Sequence, residues 1–327
     1  MTSNNIVSVF SRIVLLALLL FSSTQSIANE AHEWVRKMSG AIHTLNYTGT
    51  FVHIHNGELD TMSIAHRVDA DGERERLFSL NGEAREILRD SDQVRCILPA
   101  NRSVVIGKRN VRSGLPTLML TDVDDLLKSY DIELIGRDRI AGLPTVIITI
   151  LPKDKMRYGY RLWLEADSGM VLRSDTMDIK GNMIEQMMFT EISLQSPVSV
   201  AMVESTVPHE GFNLVGEDSD EPVQESVTHS GWSFDSVPKG FSVTSQLRKR
   251  MPMKRHQVEH YILSDGLAVV SVYIEQSNNG KTELEGPSQM GSVNAYGRVI
   301  NGHKITVLGE VPQSTARAIA NAVSMKK

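Results

Sequence analysis

Residues 47–68 read YTGTFVHIHNGELDTMSIAHRV, from Tyr47 to Val68. Two runs rich in β-branched and aromatic residues, Tyr47–His55 and Leu59–Val68, flank Asn56-Gly57. Asn-Gly suits the two left-handed positions of a hairpin turn whose twist matches its strands, so the stretch predicts a β-hairpin. The same grammar repeats downstream. Short runs at Arg74–Leu80, Ala84–Asp90, Gln93–Leu98 and Ser103–Ile106 are separated by Asp71-Gly72, Asn81-Gly82 and Ser91-Asp92. A short helix is predicted over Thr121–Ser129, capped by Thr121 or Asp122, with Leu126 and Leu127 facing inward. The runs then resume at Ile132–Asp138, Leu143–Leu151, Tyr158–Glu165, Met170–Asp178 and Met183–Leu194. Some eleven antiparallel strands in meander order predict one large curved sheet.

Upstream, His32–His43 has a helical rhythm with Trp34, Val35, Met38 and Ile42 on one side. Before it, Arg12, the apolar run Ile13–Phe21 and the small residues of Ser26-Ile27-Ala28 read as a secretory signal, residues 1–28. Its nine apolar residues are too few for a bilayer, which takes about 20. The expectation is a periplasmic protein, soluble after cleavage near Ala28. Cys96 is the sole cysteine, which excludes an intrachain disulfide. Its place in the alternating run Val94–Leu98 reads as a small buried hydrophobe.

Charge is distributed unevenly. Residues 30–195 carry 21 basic and 25 acidic side chains, residues 196–228 carry 0 and 7, and residues 229–327 carry 12 and 7. An acidic tether thus joins a mildly acidic module to a basic one. The expected organisation is an N-terminal domain at 29–195, an acidic linker at 196–228 and a C-terminal domain at 229–327, with Val200–Ser205 able to add an edge strand. In the C-terminal part, strands are predicted at Gly231–Val237, Phe241–Arg248, Val258–Leu263, Ala268–Gln276, Gly297–Ile300 and His303–Leu308. A final helix follows Pro312, capped by Ser314 or Thr315, with Ala318, Ile319, Ala322 and Val323 as its apolar stripe and Lys326-Lys327 at its end. The fold class is α+β throughout.

Strand parity marks candidate binding residues. Tyr160, Leu162 and Leu164 share one face while Arg161, Trp163 and Glu165 share the other, and in the last strand of the meander Met187 and Phe189 share a face. Large apolar groups on both faces require a cover: the two helices, or an apolar cavity lined by Tyr160, Leu162, Leu164, Met187 and Phe189. The run Arg248-Lys249-Arg250-Met251-Pro252-Met253-Lys254-Arg255-His256 concentrates five permanent charges. It reads either as a solvated loop or as a contact for lipid phosphate or an acidic peptide. Export removes nucleic acid from the list of partners. His53 and His55 share one face of a strand and His66 can lie on a neighbouring one, a pattern that could hold a metal, but no Asp, Glu or Cys is fixed beside them by sequence, so no metal is assigned. Ser264-Asp265-Gly266 reads as a hairpin turn. No nucleophile elbow, phosphate loop or dinucleotide fingerprint is present, so neither catalysis nor a cofactor is expected.

Several collinear blocks resemble the RseB/MucB family: Leu45–Val52, Glu73–Leu80 (ERERLFSL) with Asn81-Gly82, Ala84–Ile87, Tyr160–Asp175 (YRLWLEADSGMVLRSD) and Ile184–Glu191. Val237–Phe241, Glu259-His260, Ser264–Glu275 and Gly309–Pro312 extend the resemblance through the second domain. It implies a large half-open β-barrel similar to lipoprotein carriers, plus a small C-terminal α+β domain. It also implies a periplasmic negative regulator of the envelope-stress sigma factor. Such a protein binds the periplasmic domain of the RseA/MucA-like transmembrane anti-sigma factor and shields it from regulated proteolysis. Release follows the binding of mislocalised lipopolysaccharide or lipoprotein, and the family dimerises. The alternative within this reading is a periplasmic lipid or lipoprotein carrier.

Overall fold

The structure, a computed structural model, describes residues 30–108, 123–194, 197–216, 225–226, 231–250, 257–277 and 285–326. The signal sequence lies outside these residues. Helix α1, residues 30–44, is followed by β1 (Tyr47–His55), β2 (Glu58–Asp69), β3 (Gly72–Ser79), β4 (Glu86–Arg89), β5 (Gln93–Leu98) and β6 (Ser103–Lys108). Helix α2 (Val123–Leu126) precedes β7 (Tyr130–Ile140), β8 (Leu143–Pro152), β9 (Gly159–Glu165), β10 (Val171–Met177) and β11 (Met183–Leu194). The eleven meander strands predicted from the sequence are present. Asn56 and Gly57 both adopt positive φ, 50° and 78°, as the turn between β1 and β2 demands. The first strand pairs with the last: β1 lies between β2 and β11, with Tyr47 opposite both His66 and Leu194.

A twelfth strand, β12 (Asn213–Gly216), completes the sheet in an unexpected place. It pairs in parallel with β6 at the edge, Val215 opposite Val105. The edge strand expected at Val200–Ser205 is instead a single 3-10 turn, Val200–Met202. The order β12-β6-β5-β4-β3-β2-β1-β11-β10-β9-β8-β7 leaves two unjoined edges, so the sheet is curved and open.

Each face has its own cover. On the inner face Phe51, Met62, Ile64, Leu77, Ile148, Leu162, Met187 and Phe189 join Val35, Met38 and Ile42 of α1 and Leu126 of α2 in one core. The outer face of the late strands is closed by long polar groups. The Arg173 guanidinium lies 4.1 Å from the Trp163 ring centre, and the indole N–H donates to Asp138 at 3.0 Å. The outer face of the early strands is covered by the segment read as linker. Val198 and Val203 pack on Ala65, while Val207 and Phe212 pack on Leu88, Ile97 and Val104. Its anchor is Glu86, whose buried carboxylate accepts from Arg76, Ser205 and the Thr206 amide. Burial pushes this carboxyl up, but the Ser205 and Arg76 hydrogen bonds outweigh it and hold it below the ordinary range.

The C-terminal domain contains β13 (Glu225–Ser226), β14 (Trp232–Phe234), β15 (Ser242–Arg250), β16 (Gln257–Ser264), β17 (Val269–Gln276), β18 (Gly286–Met290), β19 (Val293–Ile300), β20 (His303–Gly309), α3 (Gln313–Ala322) and β21 (Val323–Met325). Seven of these strands form a sheet, and α3 packs Ala316, Ile319 and Ala320 on its core of Tyr261, Leu263, Val270, Val272, Ile305 and Val307. Two expectations at the end of the chain are corrected. Pro312, not Ser314 or Thr315, is the N-cap, because the Thr315 hydroxyl is diverted to the Met156 carbonyl at 2.6 Å. The helix stops at Ala322, and β21 turns back to pair with β14, so Lys326 bonds Gly231 rather than prolonging the helix.

Candidate functional site

Three consecutive residues of the β8–β9 connection, Met156-Arg157-Tyr158, fasten the two domains together. The Arg157 side chain is 1% exposed and donates to Asp154, to the Lys239 carbonyl and to Asp265, whose own side chain is 0% exposed. The guanidinium also lies between aromatic rings, 5.8 Å from that of Tyr130 and 5.1 Å from that of Phe241. Asp265 accepts further hydrogen bonds from the Tyr130 hydroxyl (3.0 Å) and from the amides of Leu267 (3.0 Å) and Ala268 (2.7 Å). Burial opposes the guanidinium charge, yet Asp265 and Asp154 more than restore it and raise its pKa. Burial, with the charge of Asp265 beside it, pushes the Tyr130 phenol far up, so it remains a neutral donor. On either side of Arg157, Asn294 donates to the Tyr158 hydroxyl at 2.9 Å and Thr315 donates to the Met156 carbonyl. A side chain at Gly240, at φ +91°, would lie 2.7 Å from both Arg157 and Ser129, so the backbone must pass there without one. Ser264-Asp265-Gly266 is therefore a turn, as read, but a turn that plugs into the other domain.

The five candidate cavity residues, Tyr160, Leu162, Leu164, Met187 and Phe189, do come together on the inner face. Each is buried in the core shared with α1. The exposed part of the inner face lies elsewhere. Ile87, Cys96, Val105 and Val215 are cross-strand neighbours along β4, β5, β6 and β12, and Val105 and Val215 are 40% and 43% exposed. Parity could have found this row; the emphasis on the richer late strands passed over it. Cys96 is half-buried rather than fully buried as the alternation suggested, and burial pushes its thiol up despite Arg85.

The basic cluster is not a loop at its start. Strand β15 continues to Arg250, two residues past the predicted end, because its ladder with β16 holds as far as Gln257. Arg248 reaches Glu259 on that neighbour at 3.4 Å. Lys249 and Arg250 follow in the same strand backbone; Lys254, Arg255 and His256 lie outside the described residues. On the other side of β15, β13 from the acidic segment places Glu225 opposite Arg248 in register.

At the rim of the inner face, one step beyond Phe51, the rings of His53 and His55 lie 4.7 Å apart, tilted by 34°. His53 Nε2 lies 2.5 Å from Glu185 on β11, and His55 Nε2 lies 3.2 Å from Asp60 on β2. His66 is not part of this group. It is buried against Tyr47, with Nδ1 on the Leu45 carbonyl at 2.8 Å and Nε2 on Glu73 at 3.1 Å.

Among the described residues no helix is long and apolar enough to cross a membrane. Residues 30–207 match the MucB/RseB N-terminal domain and residues 226–324 match the MucB/RseB C-terminal domain. The sigma factor AlgU regulatory protein MucB of Pseudomonas aeruginosa is 29% identical over 315 residues, covering 94% of this chain and 96% of that protein. The sigma-E factor regulatory protein RseB of Escherichia coli is 26% identical over 306 residues, covering 93% of this chain and 94% of that one. A chain of the solved Pseudomonas aeruginosa MucA/MucB complex superposes with a TM-score of 0.72 at 28% identity, over 91% of this chain and 99% of its own length. Both relatives are named sigma-factor regulatory proteins, and their alignments extend over both domains of this sequence. The chain belongs to the MucB/RseB family.

Proposed function

We propose that this protein is a periplasmic negative regulator of an envelope-stress sigma factor. It binds the periplasmic domain of an RseA/MucA-like transmembrane anti-sigma factor and shields that domain from regulated proteolysis. It leaves when lipopolysaccharide, a mislocalised lipoprotein or another amphiphile binds. The observation that supports this reading is the agreement of both domains, over 91% of the chain, with a protein solved in complex with MucA. A carrier would need only the half-open sheet. Here a second domain is locked to that sheet through Arg157 and Asp265, which favours a regulator whose two parts move as one.

The half-exposed row Ile87, Cys96, Val105 and Val215 offers the first apolar contact for an acyl chain. Entry to Tyr160, Leu162, Leu164, Met187 and Phe189 then requires α1 to give way, because α1 fills that space. Binding of the mature chain to the purified anti-sigma periplasmic domain tests the proposal, together with the rate at which the site-specific protease cuts that domain. The complex should form and slow cleavage, and a lipid A-type amphiphile should reverse both effects. No complex, or a complex cut as fast as the free domain, overturns the reading. Simultaneous charge reversal at Arg248, Lys249, Arg250, Lys254 and Arg255 should slow association and flatten its salt dependence near 0.1 M ionic strength. Sedimentation of the mature chain with and without amphiphile tests association with a second copy.

A further inference from the structure

The rim histidines lie where three strands and the second domain meet. His53 and His55 are two apart on β1 and so share a face. The ladder sets Asp60 of β2 opposite His53 and Glu185 of β11 opposite His55. The ligand atoms of His53, His55 and Asp60 lie within 4.8 Å of one another, and Glu185 Oε1 lies 2.5 Å from His53 Nε2. Adjacent ligands around a tetrahedral zinc ion are about 3.3 Å apart when its bonds are about 2.0 Å, so small side-chain rotations close the set. Two imidazoles with one or two carboxylates is a donor set suited to zinc and its first-row neighbours rather than to calcium or magnesium.

The surroundings favour a dication. With neutral imidazoles, Asp60 and Glu185 contribute two negative charges and Arg85, 3.0 Å from Asp60, contributes one positive charge. Each carboxylate has an outer partner that fixes it: Arg85 for Asp60 and the Ser292 hydroxyl for Glu185. Ser292 belongs to the β18–β19 turn of the C-terminal domain, beside Gly291, which faces Asn56 of the β1–β2 turn.

We propose that His53, His55 and Asp60, with Glu185 as fourth donor, bind one first-row divalent cation of the zinc type at the seam between the domains. The metal takes the place of the Nε2 protons that now bridge each histidine to its carboxylate. Because Glu185 also holds Ser292, occupancy stiffens the seam between the domains.

Isothermal titration of the metal-free mature chain with zinc chloride tests this, alongside cobalt chloride monitored by visible absorption. One equivalent should bind, with the intense cobalt bands of a four-coordinate site. His55→Gln and Asp60→Asn should each weaken binding at least about tenfold, the range over which even outer partners matter. If a variant fails to fold, the wild type still decides the matter. Its His53 and His55 ring resonances should move on zinc addition while those of His209 and His303 stay fixed. No stoichiometric binding, full affinity in both variants, or a response confined to other histidines overturns the proposal.

Discussion

Asp265 stands in a Ser-Asp-Gly turn whose local pattern signals only a hairpin, and Arg157 closes the charged run Lys153-Asp154-Lys155-Met156-Arg157 between two predicted strands. Neither pattern reveals that the two meet, because a buried ion pair between remote segments leaves no periodicity. Its energetics give it away in experiment. Removing one member of such a pair strands the other charge in a dry site, at a cost of about 3–5 kcal/mol. Arg157→Ala should lower unfolding free energy by that order, read from urea denaturation. Arg157→Lys should recover little, since an ammonium cannot serve Asp154, Asp265 and the Lys239 carbonyl together. His66 makes the complementary case at the other end of the sheet. Both its ring nitrogens face acceptors, an arrangement that favours the doubly protonated ring. Burial opposes that charge, but Glu73, Glu75 and the Leu45 carbonyl overcome it and raise the pKa above 6.5. The folded state therefore holds this proton more tightly than the unfolded chain. The stabilisation is fully present below about pH 6.5 and drains away as the pH rises through the folded value. The melting temperature of the wild type relative to His66→Gln should fall over that rise, and the His66 resonances should titrate above the ordinary histidine range.

Elements were legible where pattern and cover coincide. The period-two runs located all eleven meander strands, and the side of α1 holding Val35, Met38 and Ile42 is the side that packs. Met38 is fully buried beneath the sheet, so Met38→Ala should cost about 2–5 kcal/mol in urea unfolding, with the sheet signature in circular dichroism retained. The segment at 197–212 was illegible for a physical reason. It has no strand or helix period, and it is held by isolated contacts: Val198 and Val203 in one hollow, Val207 and Phe212 in another, and Ser205 and Thr206 on Glu86. Composition sees its prolines and acids; only the folded sheet supplies the hollows. The histidine rim escaped for a similar reason, because Asp60 and Glu185 reach His53 and His55 across strands whose register the sequence does not state.

For the whole molecule, charge partition and length suggested two modules, while the fastening between them depends on the short connection Met156-Arg157-Tyr158. Calorimetry of the mature wild type should show one cooperative transition, and the double variant Arg157→Ala/Asn294→Ala should show two. A single transition in the double variant would mean that other contacts carry the coupling. The closure of β1 on β11 also has a consequence in time. Neighbouring hairpins within β1–β6 and β7–β11 involve short loops and can form early. The central seam cannot, because Tyr47 must wait for Leu194. Long-range pairing of this kind is slow, since the loop entropy is lost before the contacts compensate for it. During that interval two half-sheets exist with one open edge each, at β1 and at β11, the strands that carry Phe51 and Phe189. Until the seam closes, those two edges are open to a second chain, so the refolding yield should fall as the chain concentration rises.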